Sequence, residues 1–171
     1  MDAQQAVKAI GWLGETWGFW IQTGAFFLSA LGAIAVIYYN GKQARLRALI
    51  DHIVHQKTDK ELVEATRRVN ALHGSGQSWT THLNPECEQR KDILLILNNQ
   101  EFIAVGVRLG AFDENTYKQM QCTNVLRLWE ASKGFIEEIR RERKKDTLFQ
   151  DFEKLALRWK KNPIKQIEIA P

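Results

Sequence analysis

From Trp17 to Tyr39 the chain reads WGFWIQTGAFFLSALGAIAVIYY, and no Asp, Glu, Lys, Arg or His interrupts it. At ~1.5 Å rise per residue, a helix of this length covers the ~30 Å hydrocarbon core of a bilayer with room for tilt. Gln22 and Thr23, the strongly polar residues of the run, lie near one end. Trp17 and Trp20 stand at one edge and Tyr38 and Tyr39 at the other, where amphipathic rings favour the headgroup level. The pattern predicts a single transmembrane helix over 17–39. A core helix of this length without a charge is unusual. A cleaved signal peptide needs a basic start and a shorter apolar run, whereas here Lys8 stands against Asp2 and Glu15.

Ahead of this run, Val7, Ile10, Leu13 and Trp17 recur at helical spacing, which suits an interfacial helix or a frayed start. Behind it, Asn40-Gly41 is expected to loosen the helix, because Gly is a weak helix residue. Helical periodicity resumes from Lys42 to Gln56, with Leu46, Leu49, Ile50 and Ile53 on one side. Thr58-Asp59-Lys60-Glu61 matches a capping box with Thr58 as the cap. It opens a helix carrying Leu62, Ala65, Val69 and Leu72 on one face, with Gly74 at the stop. Ser75 to Thr81 reads as a loop. Asn84-Pro85 reads as the cap and first residue of the next helix. From Ile93 to Gly110 apolar residues occur all round, which marks the most buried helix.

Asp113 caps the following helix, expected from about Glu114 to Arg143 with Val125, Leu128, Trp129, Phe135, Ile136 and Ile139 as its stripe and a bend at Ser132-Lys133-Gly134. Asp146-Thr147 restarts a last helix along Leu148, Phe152, Leu155, Ala156 and Trp159, and Asn162-Pro163 stops it. No segment alternates in the strand manner. The predicted fold is all-α. Its parts are a short extracytoplasmic segment (1–16), the transmembrane helix (17–39), a basic juxtamembrane helix (40–56), a cytoplasmic bundle of four to five helices (57–162) and an extended tail (163–171).

Charge sets the orientation. All but one of the 24 Lys and Arg, and all but two of the 20 Asp and Glu, follow the apolar run. Lys42, Arg45 and Arg47 come directly after it. The positive-inside rule then places the N-terminus outside and the large C-terminal part in the cytoplasm. Each of those basic residues contributes ~1 kcal/mol near anionic headgroups. Cys87 and Cys122 would lie in a reducing compartment, where a disulfide is disfavoured.

Within the anchor, Ala25, Ser29 and Ala33 are four apart and form a narrow small-residue face, widened by Gly24 and Gly32, of the kind through which membrane helices self-associate. In the bundle, Arg68 and His73 have the R-x4-H spacing of HEPN-type ribonucleases, where an Arg stabilises phosphate charge and a His moves protons. A helix end with an exposed Arg and a dipole-favoured His gives the same spacing. His52 and His55 lie three apart beside Asp51 and Asp59, but no fuller ligand set accompanies them, so neither a metal nor any other cofactor is expected. Asn98, Asn99, Gln100, Glu101 and Arg108 interrupt the apolar helix. Glu101 and Arg108 share a face two turns apart and, with Asn98, suit a buried polar network or a binding site. Arg140, Arg141, Arg143, Lys144 and Lys145, and the second cluster Arg158, Lys160 and Lys161, suit contact with lipid headgroups, or less well with nucleic acid.

An anchor ending in IYYNG, the stretch LNNQEFIAVGVRLGAFDE and the basic helices that follow resemble a family of small membrane-anchored helical proteins from bacteria and their phages, a DUF4760-like domain of unknown function. The resemblance is sharpest from Leu97 to Glu114; it implies a bacterial or phage origin, hence the bacterial inner membrane as the location, and no catalytic residue. A looser similarity is to single-pass CRISPR accessory proteins with a degenerate HEPN-like domain that assemble into membrane pores. The expectation is a non-enzymatic membrane-anchored module that self-associates or binds a protein partner, with a role in phage–host conflict or defence implied by the resemblance. The alternatives are a tethered HEPN-like ribonuclease acting through Arg68 and His73, and an oligomeric pore.

Overall fold

The computed structural model describes residues 16–76 and 78–164. The interfacial segment expected around Val7–Leu13 and the tail beyond Ile164 lie outside the described residues. The described residues form five α-helices: α1 (Trp17–Thr58), α2 (Lys60–Gly74), α3 (Glu88–Arg108), α4 (Glu114–Arg143) and α5 (Gln150–Lys161). A 3-10 turn, Trp79–His82, lies between α2 and α3. Among the described residues there is no β-strand, as the all-α reading requires.

The chain divides into two compact units, Met1–Gln43 and Ala44–Pro171. The first contains the apolar part of α1. This helix is long and apolar enough to cross a membrane, with a mean hydropathy of 1.7 over its best 18-residue window and 0 % of that window buried. Phe26, Phe27, Leu28, Leu31 and Ile37 are all exposed. The face of Ala25, Ser29 and Ala33 is likewise uncovered, and methyl groups added at Gly24 or Gly32 would meet nothing within 4 Å. The loosening expected at Asn40-Gly41 does not interrupt the helix, since α1 continues to Thr58. One Gly in a helix interior costs only ~1 kcal/mol relative to Ala, and the ladder of backbone bonds outweighs it.

The second unit is a helical bundle. α3 packs against α2 and α5, and α4 packs against α5 and the 3-10 turn. Leu49, Ile93, Leu97, Ile103, Phe135, Ile136, Ile139, Phe152 and Trp159 are fully buried and form its core. The end of α1 joins this core through Leu49 and Ile53.

Helix ends explain several boundaries. Thr58 is the last residue of α1 rather than the cap of α2, and its Oγ1 donates to the carbonyls of Val54 and His55. Asp59 is the cap, with Oδ1 accepting from the Glu61 and Leu62 amides. The left-handed glycine after α2 is Gly76, two residues beyond the expected Gly74. Asn84 accepts from the Glu86 amide in a local turn, so α3 starts only after Cys87. Asp113 does cap α4, accepting from the Thr116 amide at 2.8 Å. α4 runs unbroken through Ser132-Lys133-Gly134.

α5 begins later than Asp146-Thr147. Phe149 occupies its cap position in a left-handed conformation (φ 55°) with its ring buried. A non-Gly residue held there costs ~1–3 kcal/mol, which burial of a Phe side chain offsets.

Candidate functional site

Phe149 offers no side-chain acceptor to the open amides of α5. Glu101 of α3 supplies one. Its carboxylate accepts from the Asp151 amide at 3.2 Å and the Phe152 amide at 2.7 Å. One turn-pair further along α3, Arg108 Nε donates to the buried Asp151 at 2.8 Å. Glu101 and Arg108 therefore do meet in one polar network, and that network seats α5 on α3. Asn98 is exposed and stands outside it. Gln100 instead donates from Nε2 to the buried Tyr117 hydroxyl at 2.7 Å, and burial pushes the Tyr117 phenol up to about 12.

Arg68 forms a two-bond pair with Asp92 of α3, at 2.6 and 2.7 Å. That hydrogen bond with Asp92, ahead of the charges around it, raises the Arg68 pKa further. The pair ties α2 to α3. Arg90 does the same for the loop before α3, bonding the Leu83 carbonyl and both carboxylate oxygens of Glu142. His52 lies against the rings of Phe102 and Phe112, with centroids 5.0 and 5.6 Å away. Burial, then the neighbouring His55, lowers its pKa, and Asn99 works in the opposite direction. Among the described residues no group of three His, Cys, Asp or Glu is placed to hold a metal.

The basic cluster is divided. Arg140 donates to the Leu148 carbonyl at 2.9 Å and pairs with Glu153 at 2.8 Å, so it clamps α4 to α5. Arg141 pairs with Glu138 on its own helix. Arg143, Lys144 and Lys145 are exposed. In the second cluster, Arg158 pairs with Glu114, and Lys160 with Glu130, whose carboxyl its lysine partners Lys133 and Lys160 pull down to about 2.

A concavity of about 510 Å³ lies in the second unit, between the end of α1, α2, the 3-10 turn, α3 and α4. Leu62, Val69, Ile96 and Leu128 supply apolar wall. Gln56, Asn70, Asn99, Gln100, Gln121 and Asn124 supply neutral amides, and Gln56 Nε2 donates to Asn99 Oδ1 at 3.0 Å. Among the described residues its charged or titratable lining is Lys57, Arg127 and His73, with no carboxylate. His73 thus faces the cleft, whereas Arg68 of the R-x4-H pair is not among its lining residues. Trp79 also lines the cleft; it is 4 % exposed, and its buried indole Nε1 has no hydrogen-bond partner among the described residues.

Neither Trp79 nor the cleft is legible as a site in the sequence. A lone Trp between Ser and Thr in a short connection carries no periodicity, and its size was the available signal. The amides at positions 99 and 100 stand out in the sequence as interruptions of an apolar helix, but their partners come from α1 and α4.

Comparison with curated proteins and with solved structures gives no match. A family model described as a domain of unknown function, DUF4760, matches residues 21–159. That range runs from the apolar part of α1 to Trp159, the buried tryptophan of α5. On that match, the chain belongs to the DUF4760 family.

Proposed function

We propose that this protein is a single-pass, membrane-tethered interaction module. α1 holds it in the bilayer and the helical unit from Ala44 onward binds a partner or a second copy at the membrane surface. The observation that carries this reading is the uncovered apolar length of α1, of which 0 % of the best 18-residue window is buried. Leaving so many Phe, Leu and Ile side chains in water is costly at ~25 cal/mol per Å², and lipid removes that cost. Lys42, Arg45 and Arg47, which follow in sequence, favour a cytoplasmic helical unit and an external N-terminus. The open face of Ala25, Ser29 and Ala33 is the surface through which the anchor would self-associate. The exposed Arg143, Lys144 and Lys145 suit anionic headgroups.

The test is the mass of the full chain in mild detergent, with Ala25→Leu, Ser29→Leu and Ala33→Leu variants beside it. A defined multimer that these substitutions dissociate supports self-assembly through the anchor. A multimer that survives them moves the contact to the helical unit. A strict monomer that captures no partner at the membrane contradicts the proposal.

A further inference from the structure

We infer that the cleft between α2, α3, α4 and the 3-10 turn is a binding site for a small organic phosphate, a phosphate carried on a polar body of about mononucleotide size. The inference does not depend on the anchoring proposal, because the cleft lies wholly within the unit from Ala44 onward.

Charge is the first reason. Lys57 and Arg127 both line the cleft, both are exposed, and no Asp or Glu among the described residues lines it. An anion entering it meets attraction from these groups and no like charge on the wall. The chain has 20 acidic residues, and none of those described lines the cleft.

Trp79 is the second. Its indole N–H is buried with no acceptor among the described residues. Buried donors are nearly always satisfied, since an unmade bond is costly. Trp79 is among the residues lining the cleft, so a small side-chain shift that opens this N–H to it lets a ligand acceptor complete the bond. The apposed Gln56 and Asn99, bonded at 3.0 Å, present further amide donors and acceptors suited to the edge of a polar ring or a polyol.

Size is the third. A volume of about 510 Å³ falls within the ~300–1,000 Å³ typical of small-molecule sites. Inorganic phosphate alone would leave most of it empty. Nucleotides and phospholipid headgroups share the required chemistry, so the experiment separates them.

The full chain in neutral detergent is titrated by calorimetry with AMP, glycerol 3-phosphate, adenosine and inorganic phosphate, and the thermal midpoint is followed in parallel. The expected result is binding of AMP or glycerol 3-phosphate, with a raised midpoint, at least tenfold tighter than adenosine or inorganic phosphate. A preference for AMP identifies a nucleotide site, and a preference for glycerol 3-phosphate a headgroup site. Lys57→Glu and Arg127→Glu, both at exposed positions that leave the core untouched, should each weaken binding at least tenfold. Trp79→Phe, which keeps a smaller aromatic ring and deletes the N–H, should weaken it severalfold. No binding of either organic phosphate at millimolar concentration overturns the inference. So does binding that Lys57→Glu and Arg127→Glu leave unchanged, or binding matched by inorganic phosphate. If a water satisfies Trp79, Trp79→Phe leaves affinity intact and the assignment of that N–H to the ligand falls.

Discussion

Glu101 caps a helix that begins about fifty residues later in the chain: its carboxylate accepts the Phe152 amide at 2.7 Å. The first turn of α5 contains no side chain of its own that does this work, because Phe149 stands at its cap position. Helix α5 is thus completed only when it docks on α3. Glu101→Ala should destabilise the helical unit by about 1–3 kcal/mol, the range for leaving buried donors unpaired. Glu101→Gln, which keeps an acceptor oxygen, should recover part of it. Equilibrium denaturation checks both, and equal stability of Glu101→Ala and the parent would refute the capping role.

Gly106 is held small by Phe112. The chain folds back after α3, with the Ala111 amide bonded to the Gly106 carbonyl at 2.8 Å, and the Phe112 ring lies where a Gly106 side chain would be. Gly106→Ala should cost about 1–3 kcal/mol through overpacking. Adding Phe112→Leu to Gly106→Ala should restore part of the loss, because it frees that space. A double variant less stable than the sum of the two single changes would contradict this account.

Arg68 is placed as a tie between α2 and α3. Asp92, its partner, is 8 % exposed. Arg68→Ala should lower the melting midpoint clearly more than Arg67→Ala, since Arg67 makes only a surface pair with Glu64. Calorimetric scans of the two variants decide it. Equal midpoints would show that the Arg68–Asp92 pair contributes nothing to the fold.

Tyr117 gives the helical unit an alkaline limit. Its pKa in the folded chain is pushed up to about 12 by burial, against an ordinary value near 10. Below pH ~10 the phenol is neutral in both states, and its contribution is complete. As pH rises from ~10 towards 12 the unfolded chain ionises first, and stability falls by up to about 1.4 kcal/mol per pH unit. Tyr117→Phe should show a shallower decline over that window in denaturant titrations. Identical slopes would remove Tyr117 as the cause.

Much of this fold was legible in the sequence where the signal was local and repeated. The apolar run to Tyr39, the Asp113 cap, the extent of α4 and the apolar face of α5 all rest on spacing or on a single side chain next to the backbone it bonds. What escaped depends on contacts between distant segments. Asn84-Pro85 looked like a helix start, but Asn84 closes a local turn with Glu86 instead. Asn40-Gly41 reads as a loosened point, yet one weak helix residue does not interrupt a long helix. The start of α5 was misplaced because its capping acceptor, Glu101, lies on another helix. Of the site, Glu101 and Arg108 were legible as polar residues on an apolar helix. The cleft was not, since its walls come from five separate segments of chain.

The most direct test of the central claim is alkaline carbonate extraction of membranes from cells making the full chain. If lipid surrounds Trp17 to Tyr39, the protein stays in the pellet at high pH and is released only by detergent. Recovery of intact chain in the soluble fraction after carbonate treatment would contradict the account.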